Sequence, residues 1–406
     1  MINKIPEIKS SDFTYNLPED KIAKFPLSQR DLSKLLIFKN NEIFSDIFAN
    51  IDKWLPDSSL LILNNTKVIN ARLKFIHNNH TIEIFTLEPE NGFEISSALS
   101  QIQSANWKCL IGNLKKWKNS ELVSKSVINN TEYILKAKLI SKINDSFIIN
   151  FSWMPDNISF AEILEIFGNI PLPPYIKRDS TEKDKLTYQT IFAKNEGSVA
   201  APTASLHFTE NVFRKLKEKN ITAEYITLNI GAGTFKPVKT EFVQHHSMHP
   251  ETFFFTKSAV ESIIHSLCKK NIIAGGTTVM RAIESLYWFG VQLLQNRFSG
   301  ENIHIRQWEP FQYEAETSAE AFKAVLNYFN YTKTNVLYGK TNLLIIPGYD
   351  FKVFNGLITN FHQPKSTLLM LIAAFIGNKW KRVYEYALKN DFRFLSYGDS
   401  SLLFKN

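Results

Sequence analysis

The sequence predicts an α/β protein, with a mixed α/β main domain over residues 1–72 and 170–406 and a small β-barrel inserted over residues 73–169. Three observations carry this expectation. Short apolar runs between turn residues open the chain, period-2 alternation fills the stretch from Arg72 to about Trp153, and helical periodicity alternates with short strands beyond Pro171. A chain of 406 residues that is 44% hydrophobic also has room for two units, since single cores rarely grow past roughly 250–300 residues.

Taken in order, Leu35 to Phe38 and Leu60 to Leu63 read as strands that run into the turn-forming pairs Asn40-Asn41 and Asn64-Asn65. The runs Thr81 to Leu87, Trp107 to Ile111, Glu132 to Ile140 and Ser146 to Trp153 alternate with period two between Asn, Gly, Asp or Ser, which suits a small barrel or sandwich. Ser159 to Phe167 is helical in period, with Gly168 placed as its C′ residue, and Pro171 to Tyr175 cannot continue it. That break is the expected return to the main domain. Helices are then predicted at 210–219, 257–270, 315–329 and 366–375, and strands at 222–228, 272–275, 342–346 and 356–359.

Lys plus Arg outnumber Asp plus Glu by 47 to 39, and the isoelectric point is about 9.1. Such a balance suits a polyanionic partner, and solvated lysines give the same excess. The two cysteines, Cys109 and Cys268, have no CxxC or zinc spacing, which points to a reducing compartment. The N-terminus lacks the order of a signal peptide, and the longest apolar stretch, Leu368 to Ile376, is far short of the roughly 18–20 residues of a spanning helix. A cytoplasmic protein without a membrane partner is expected.

Chemistry is expected where small, polar and aromatic residues interrupt the pattern at an element's end. Gly197 to Phe208 offers Thr203, Ser205 and His207 among small side chains, as a binding loop or as a tight loop capping the next helix. Asn229 to Phe235 carries Gly231 and Gly233 after a strand but lacks the third glycine of a dinucleotide fingerprint. Gly275 to Glu284 leads from a strand end into a helix whose first turn presents Thr277, Thr278 and Arg281, although Arg281 and Glu284 also have the spacing of a surface ion pair. Thr359 to Thr367 places Asn360, Phe361 and His362 at a strand end, with Ser366 or Thr367 as helix cap. Near the C-terminus Ser396 to Asp399 forms a turn in which Asp399 is a general base or an Asx-turn residue. His245, His246 and His249 with Glu251 invite a metal reading, but HExxH is absent and Pro250 interrupts the helix such a site needs. No metal is assigned.

In the order Asp12 to Pro18, Leu63 to Leu73, Pro171 to Ile176, Gly197 to Ala204, Leu206 to Phe208, Gly231 to Val238, His246 to Glu251, Gly276 to Thr278, Thr359 to His362 and Ser396 to Asp399, the chain resembles the S-adenosylmethionine:tRNA ribosyltransferase-isomerase family of the queuosine pathway. The resemblance spans nearly the whole chain. It implies an α/β domain with an inserted β-barrel, S-adenosylmethionine as a consumed ribosyl donor rather than a cofactor, and tRNA carrying 7-aminomethyl-7-deazaguanine as acceptor. The products implied are epoxyqueuosine-tRNA, adenine and methionine. A monomer is expected.

On the matched segments, the residues expected to bind substrate are Asn64, Asn65 and Arg72; Pro202, Thr203 and Phe208; Gly231, Gly233, Thr234 and Phe235; His246 and His249; Thr277, Thr278 and Arg281; Asn360 and Phe361; and Tyr397. Proton transfer is expected of His207, His362, Asp399 or Glu251, and an aromatic ring, Phe235 or Phe361, is expected to face the sulfonium. In the inserted segment Lys115, Lys116 and Lys118 surround Trp117, as phosphate contacts around a stacking ring or as solvated lysines around a core ring. The chain departs from the family at Ser205, Asn229, Val279 and Gln363, where Gly, His, Ser and Leu are expected. Alternatives of other classes are a catalytically weakened paralogue that binds tRNA or an adenosine-like ligand, and a metal hydrolase built on the histidines.

Overall fold

The structure, a computed structural model, describes residues 5–90, 94–117, 120–231, 237–268, 271–300 and 302–405. It is a mixed α/β fold built on two large sheets, with a two-stranded one of Thr66–Val68 and Asn195–Ser198 beside them. At the centre of the larger sheet, strands Thr222–Asn229, Leu60–Asn64, Ile272–Gly275 and Gly356–Asn360 run parallel, with Leu60 opposite both Thr222 and Ile272. Leu60–Asn64 is buried along its whole length, which accounts for its unbroken apolar run. On one side the sheet continues through Ser400–Phe404, Lys34–Lys39 and Glu42–Ile47; on the other it ends in Glu251–Thr256, Val336–Thr341 and Ile303–Ile305.

The helix Thr277–Leu294 is the centre of the main core, with every side chain from Thr277 to Gln292 buried. It starts at Gly276, whose φ of 124° disfavours any residue with a side chain. Thr367–Ile376 is capped as expected by Ser366, whose hydroxyl accepts from the Leu369 amide at 3.2 Å. Residues 342–346 are not the strand that their apolar run predicts. The ladder is made by Val336–Thr341 instead, while the Leu343 amide donates to the Thr341 hydroxyl at 3.0 Å and the Leu344 amide to the Gln307 carbonyl at 3.2 Å. The run is apolar because Leu343 to Ile346 are core residues.

Between Arg72 and Asn169 lies the second sheet, seven antiparallel strands in the order Gly168–Asn169, Arg72–His77, His80–Pro89, Ser104–Gly112, Ser146–Met154, Thr131–Ile143 and Leu122–Ile128. Asn pairs at 78–79 and 129–130, all with positive φ, make two of its hairpin turns. The strands Arg72–His77 and Leu122–Ile128 approach within 8 Å, and no ladder among the described residues joins them, so the sheet is a curled half-barrel. Helix Phe160–Phe167 plugs it, with Phe160 against Trp107, Phe151 and Trp153 at 5.3–5.4 Å between ring centroids. Gly168 ends this helix in extended backbone, φ −90°, rather than in a left-handed cap. Close approach requires the glycine, since a Cβ there would lie 2.0 Å from the Asn70 carbonyl oxygen.

Candidate functional site

A cleft opens at the carboxyl ends of the parallel strands, the usual ligand position in an open α/β sheet. Four segments singled out in the sequence converge on it. Pro202 and Thr203 come from the small-residue loop, Ile230 follows the strand Thr222–Asn229, Gly276 to Thr278 open the central helix, and Asn360 and His362 follow the strand Gly356–Asn360. Tyr175 and Ser396, which carried no assigned role, complete the wall and bond each other at 2.6 Å between oxygens.

The Thr203 hydroxyl donates to the Asn360 side-chain carbonyl at 2.8 Å, and the Asn360 amide nitrogen is buried without a partner. At the uncapped start of the central helix, the first-turn amides of Thr277 and Thr278 form an electropositive edge to the cleft. His362 Nε2 lies 2.9 Å from the Thr359 hydroxyl, and burial pushes its pKa down to about 3. Ser205 donates to the Gly275 carbonyl at 3.1 Å, so this departure ties the loop to the strand end. Val279 belongs to the core, and Gln363 lines the cleft.

His207 lies in a smaller adjoining recess that shares Ser396 with the main cleft. Its Nδ1 is 2.9 Å from the Ser33 hydroxyl and 3.3 Å from the Arg30 carbonyl, while its buried Nε2 has no partner. Burial lowers its pKa to about 4. His207 and His362 are therefore neutral at pH 7, and neither titrates near the working pH as the ordinary imidazole value suggests. Each is unprotonated there, and the same depression makes it a weak proton acceptor.

Other expected site residues make structural contacts. Asp399 accepts from the Lys34 and Arg393 amides at 3.2 and 2.8 Å and from the Arg393 guanidinium at 3.2 Å. Glu251 and Arg281 form a buried ion pair, burial lowers the Arg281 pKa to about 10, and Glu284 is engaged by Tyr349 and two backbone amides rather than by Arg281. The Tyr397 hydroxyl donates to Asp184 at 2.7 Å beside His207. Phe361 is packed among Phe392, Phe394 and Tyr384, and Phe208 among Phe48, Phe192 and Phe213, so both rings serve the core.

Asn64 braces the Leu228 backbone, donating to its carbonyl at 2.9 Å and accepting from its amide at 3.1 Å. Asn65 accepts from Thr227 at 2.6 Å, and Arg72 pairs with Glu83 at 3.4 Å. The Asn229 side-chain carbonyl accepts from Thr66 at 2.9 Å. His246 is lowered by burial and by His249, and its carbonyl accepts from Gln307 at 2.6 Å. Among the described residues no three His, Cys, Asp or Glu side chains are grouped so as to hold a metal ion.

Gly231 has open space where a Cβ would stand, whereas Gly233, Thr234, Phe235 and Lys118 lie outside the described residues. Lys115 and Lys116 are exposed on a short turn. Trp117 is a core ring of the curled sheet, 5% exposed, with its indole nitrogen donating to the Ser120 carbonyl at 2.6 Å. A second and larger cleft separates the curled sheet from the outer strands of the main sheet. It meets the first at the consecutive residues Asn229 and Ile230.

The family profile described as Queuosine biosynthesis protein matches residues 10–403. The chain belongs to the queuosine biosynthesis protein family. Its relatives include the S-adenosylmethionine:tRNA ribosyltransferase-isomerase of Sulfurihydrogenibium sp. (strain YO3AOP1), 38% identical over 98% of this chain and 100% of that protein. The protein of the same name from Aquifex aeolicus (strain VF5) is 34% identical with the same coverage. A solved structure of S-adenosylmethionine tRNA ribosyltransferase from Thermotoga maritima is 26% identical, covers 97% of this chain and 100% of its own, and gives a TM-score of 0.44. Among the described residues of this family member, no helix is long and apolar enough to cross a membrane.

Proposed function

We propose that this protein is an S-adenosylmethionine:tRNA ribosyltransferase-isomerase. It transfers and isomerises the ribosyl group of S-adenosylmethionine onto 7-aminomethyl-7-deazaguanine at the tRNA wobble position, and releases adenine and methionine. What carries this reading is the end-to-end match to relatives of that name at 34–38% identity. The convergence of four separate loops on one cleft supports placing the donor there.

The reaction needs a base for the proton beside the sulfonium, a proton source for departing adenine and a neutral attacking amine. Methionine leaves as a neutral sulfide and needs no proton. In the cleft, the first-turn amides at Thr277 and Thr278 suit the donor carboxylate, and the unpartnered Asn360 amide suits an acceptor atom of the adenine or ribose. His362, or His207 through the adjoining recess, is placed to serve as the base; burial keeps it unprotonated but also weakens it, so the role requires that bound substrate raise its pKa. The donor is consumed, so no resident cofactor is assigned.

The main domain of residues 1–72 and 170–406 holds the donor, while the insert of 73–169 helps hold tRNA, for which exposed Lys115 and Lys116 are suited. The protein acts as a monomer in the cytoplasm, where its tRNA substrate is made. Incubation with S-adenosylmethionine and acceptor tRNA, followed by chromatography for adenine, tests the reading. Tight donor binding without adenine release favours the weakened paralogue.

A further inference from the structure

The outer face of the main sheet presents two neighbouring rings to the larger cleft. Tyr338 stands opposite Phe254 in the antiparallel ladder, with ring centroids 5.6 Å apart and planes tilted by 36°, and Tyr338 is 49% exposed. A lone surface aromatic is ordinary. Here the surroundings are specific. Lys340, two residues along the same strand, is exposed on the same face. Glu94 lines the same cleft, and burial together with this carboxylate raises the Tyr338 pKa. The two other carboxylates of the cleft, Glu88 and Glu196, are paired at 2.8 Å with Lys108 and Lys67. The donor cleft is near: Phe254 opposes Thr227, two residues before Asn229, where the clefts meet. With strands about 4.8 Å apart, the Tyr338 backbone is about 10 Å from that strand.

We propose that this face seats the acceptor nucleotide, its base stacked on Tyr338, a flanking phosphate at Lys340 and the aminomethyl group toward Glu94. The proposal rests on the ribosyltransferase reading. An anticodon-loop base exposes a π-face when it is unpaired, and aromatic rings are sequence-tolerant platforms for it. A primary alkylamine is a cation near neutral pH and needs a carboxylate, whereas the phosphate beside it needs a cation. The cleft supplies all three chemistries on residues that the donor does not use. The amine must shed its proton before it attacks, and a carboxylate beside it both selects the ammonium form and is placed to receive that proton.

The test uses the full chain and two forms of one tRNA, carrying either 7-aminomethyl-7-deazaguanine or guanine at the wobble position, at one fixed salt concentration. Tyr338→Ala is expected to weaken binding of the modified tRNA about tenfold or more, and Tyr338→Phe, which keeps the ring, to recover most of that loss. Glu94→Gln is expected to erase any preference for the modified over the guanine form. S-adenosylmethionine affinity is expected to stay unchanged in all three variants. If the parent releases adenine with the modified tRNA while Tyr338→Ala binds it as the parent does, this site falls and the ribosyltransferase reading stands. Equal losses in Tyr338→Ala and Tyr338→Phe also overturn the stacking role, and a preference retained by Glu94→Gln overturns the amine contact. A parent that neither binds the modified tRNA nor releases adenine removes both proposals.

Discussion

The Thr203 hydroxyl donates to the Asn360 side-chain carbonyl at 2.8 Å and leaves the amide nitrogen as the free end. With the carbonyl occupied, the buried nitrogen is a donor without a partner at the wall of the cleft. Removing it is expected to weaken donor binding. Asn360→Asp replaces the donor by an acceptor, and titration calorimetry should show S-adenosylmethionine affinity reduced about tenfold, the scale of one hydrogen bond in a buried site. Thr203→Val, which frees the amide to turn, should give a smaller loss. Parent-like affinity in both variants would place the donor elsewhere.

Stability should depend on pH through the imidazoles of buried His207 and half-buried His362. The folded pKa of His207, about 4, lies below the ordinary value of 6.5, and that of His362, about 3, lies lower still. Between those values the unfolded chain binds more protons than the folded one, so this contribution is complete above pH 6.5 and is lost as pH falls. Urea unfolding at pH 7.5 and pH 5 should differ by roughly 2 kcal/mol for each histidine. His207→Gln should remove one share of that difference, and an unchanged pH dependence would mean that His207 is not buried and neutral.

Breaking the buried Glu251–Arg281 pair is expected to cost about 3–5 kcal/mol, because one charge is then left in the core without its partner. Arg281→Ala should therefore unfold at markedly lower urea concentration. A shift below about 1 kcal/mol would show that the charge reaches solvent instead.

Much of this arrangement is legible in the sequence. The four cleft segments stand out because small and polar residues interrupt strong periodicity where strands end, and that is a local signal. The role of each side chain is less legible, since it depends on which way the chain turns after the strand. Phe361 follows Asn360 directly, yet one faces the core and the other the cleft. Residues 342–346 look like a strand because burial alone imposes an apolar run, and the ladder that decides the matter lies on residues 336–341. Tyr175 and Ser396 are far apart in sequence, and neither signals that its hydroxyl meets the other.

Trp117 and its neighbouring lysines should separate cleanly. Trp117→Ala is expected to destabilise the fold by about 3–5 kcal/mol through lost packing. The Lys115→Ala, Lys116→Ala double variant should leave stability within about 0.5 kcal/mol. It should also weaken tRNA binding with a shallower dependence on salt, as fewer counterions are released. An unchanged salt slope in the folded double variant would exclude these lysines from the tRNA contact.

The most direct test of the account follows the ribosyl carbons. S-adenosylmethionine labelled in its ribose is incubated with the purified chain and tRNA carrying 7-aminomethyl-7-deazaguanine, and the tRNA is then digested and its nucleosides weighed by mass spectrometry. The label is expected in a single modified nucleoside, with unlabelled adenine and methionine released in equal amounts. Label that remains entirely in S-adenosylmethionine, in a folded chain that binds both substrates, would contradict it.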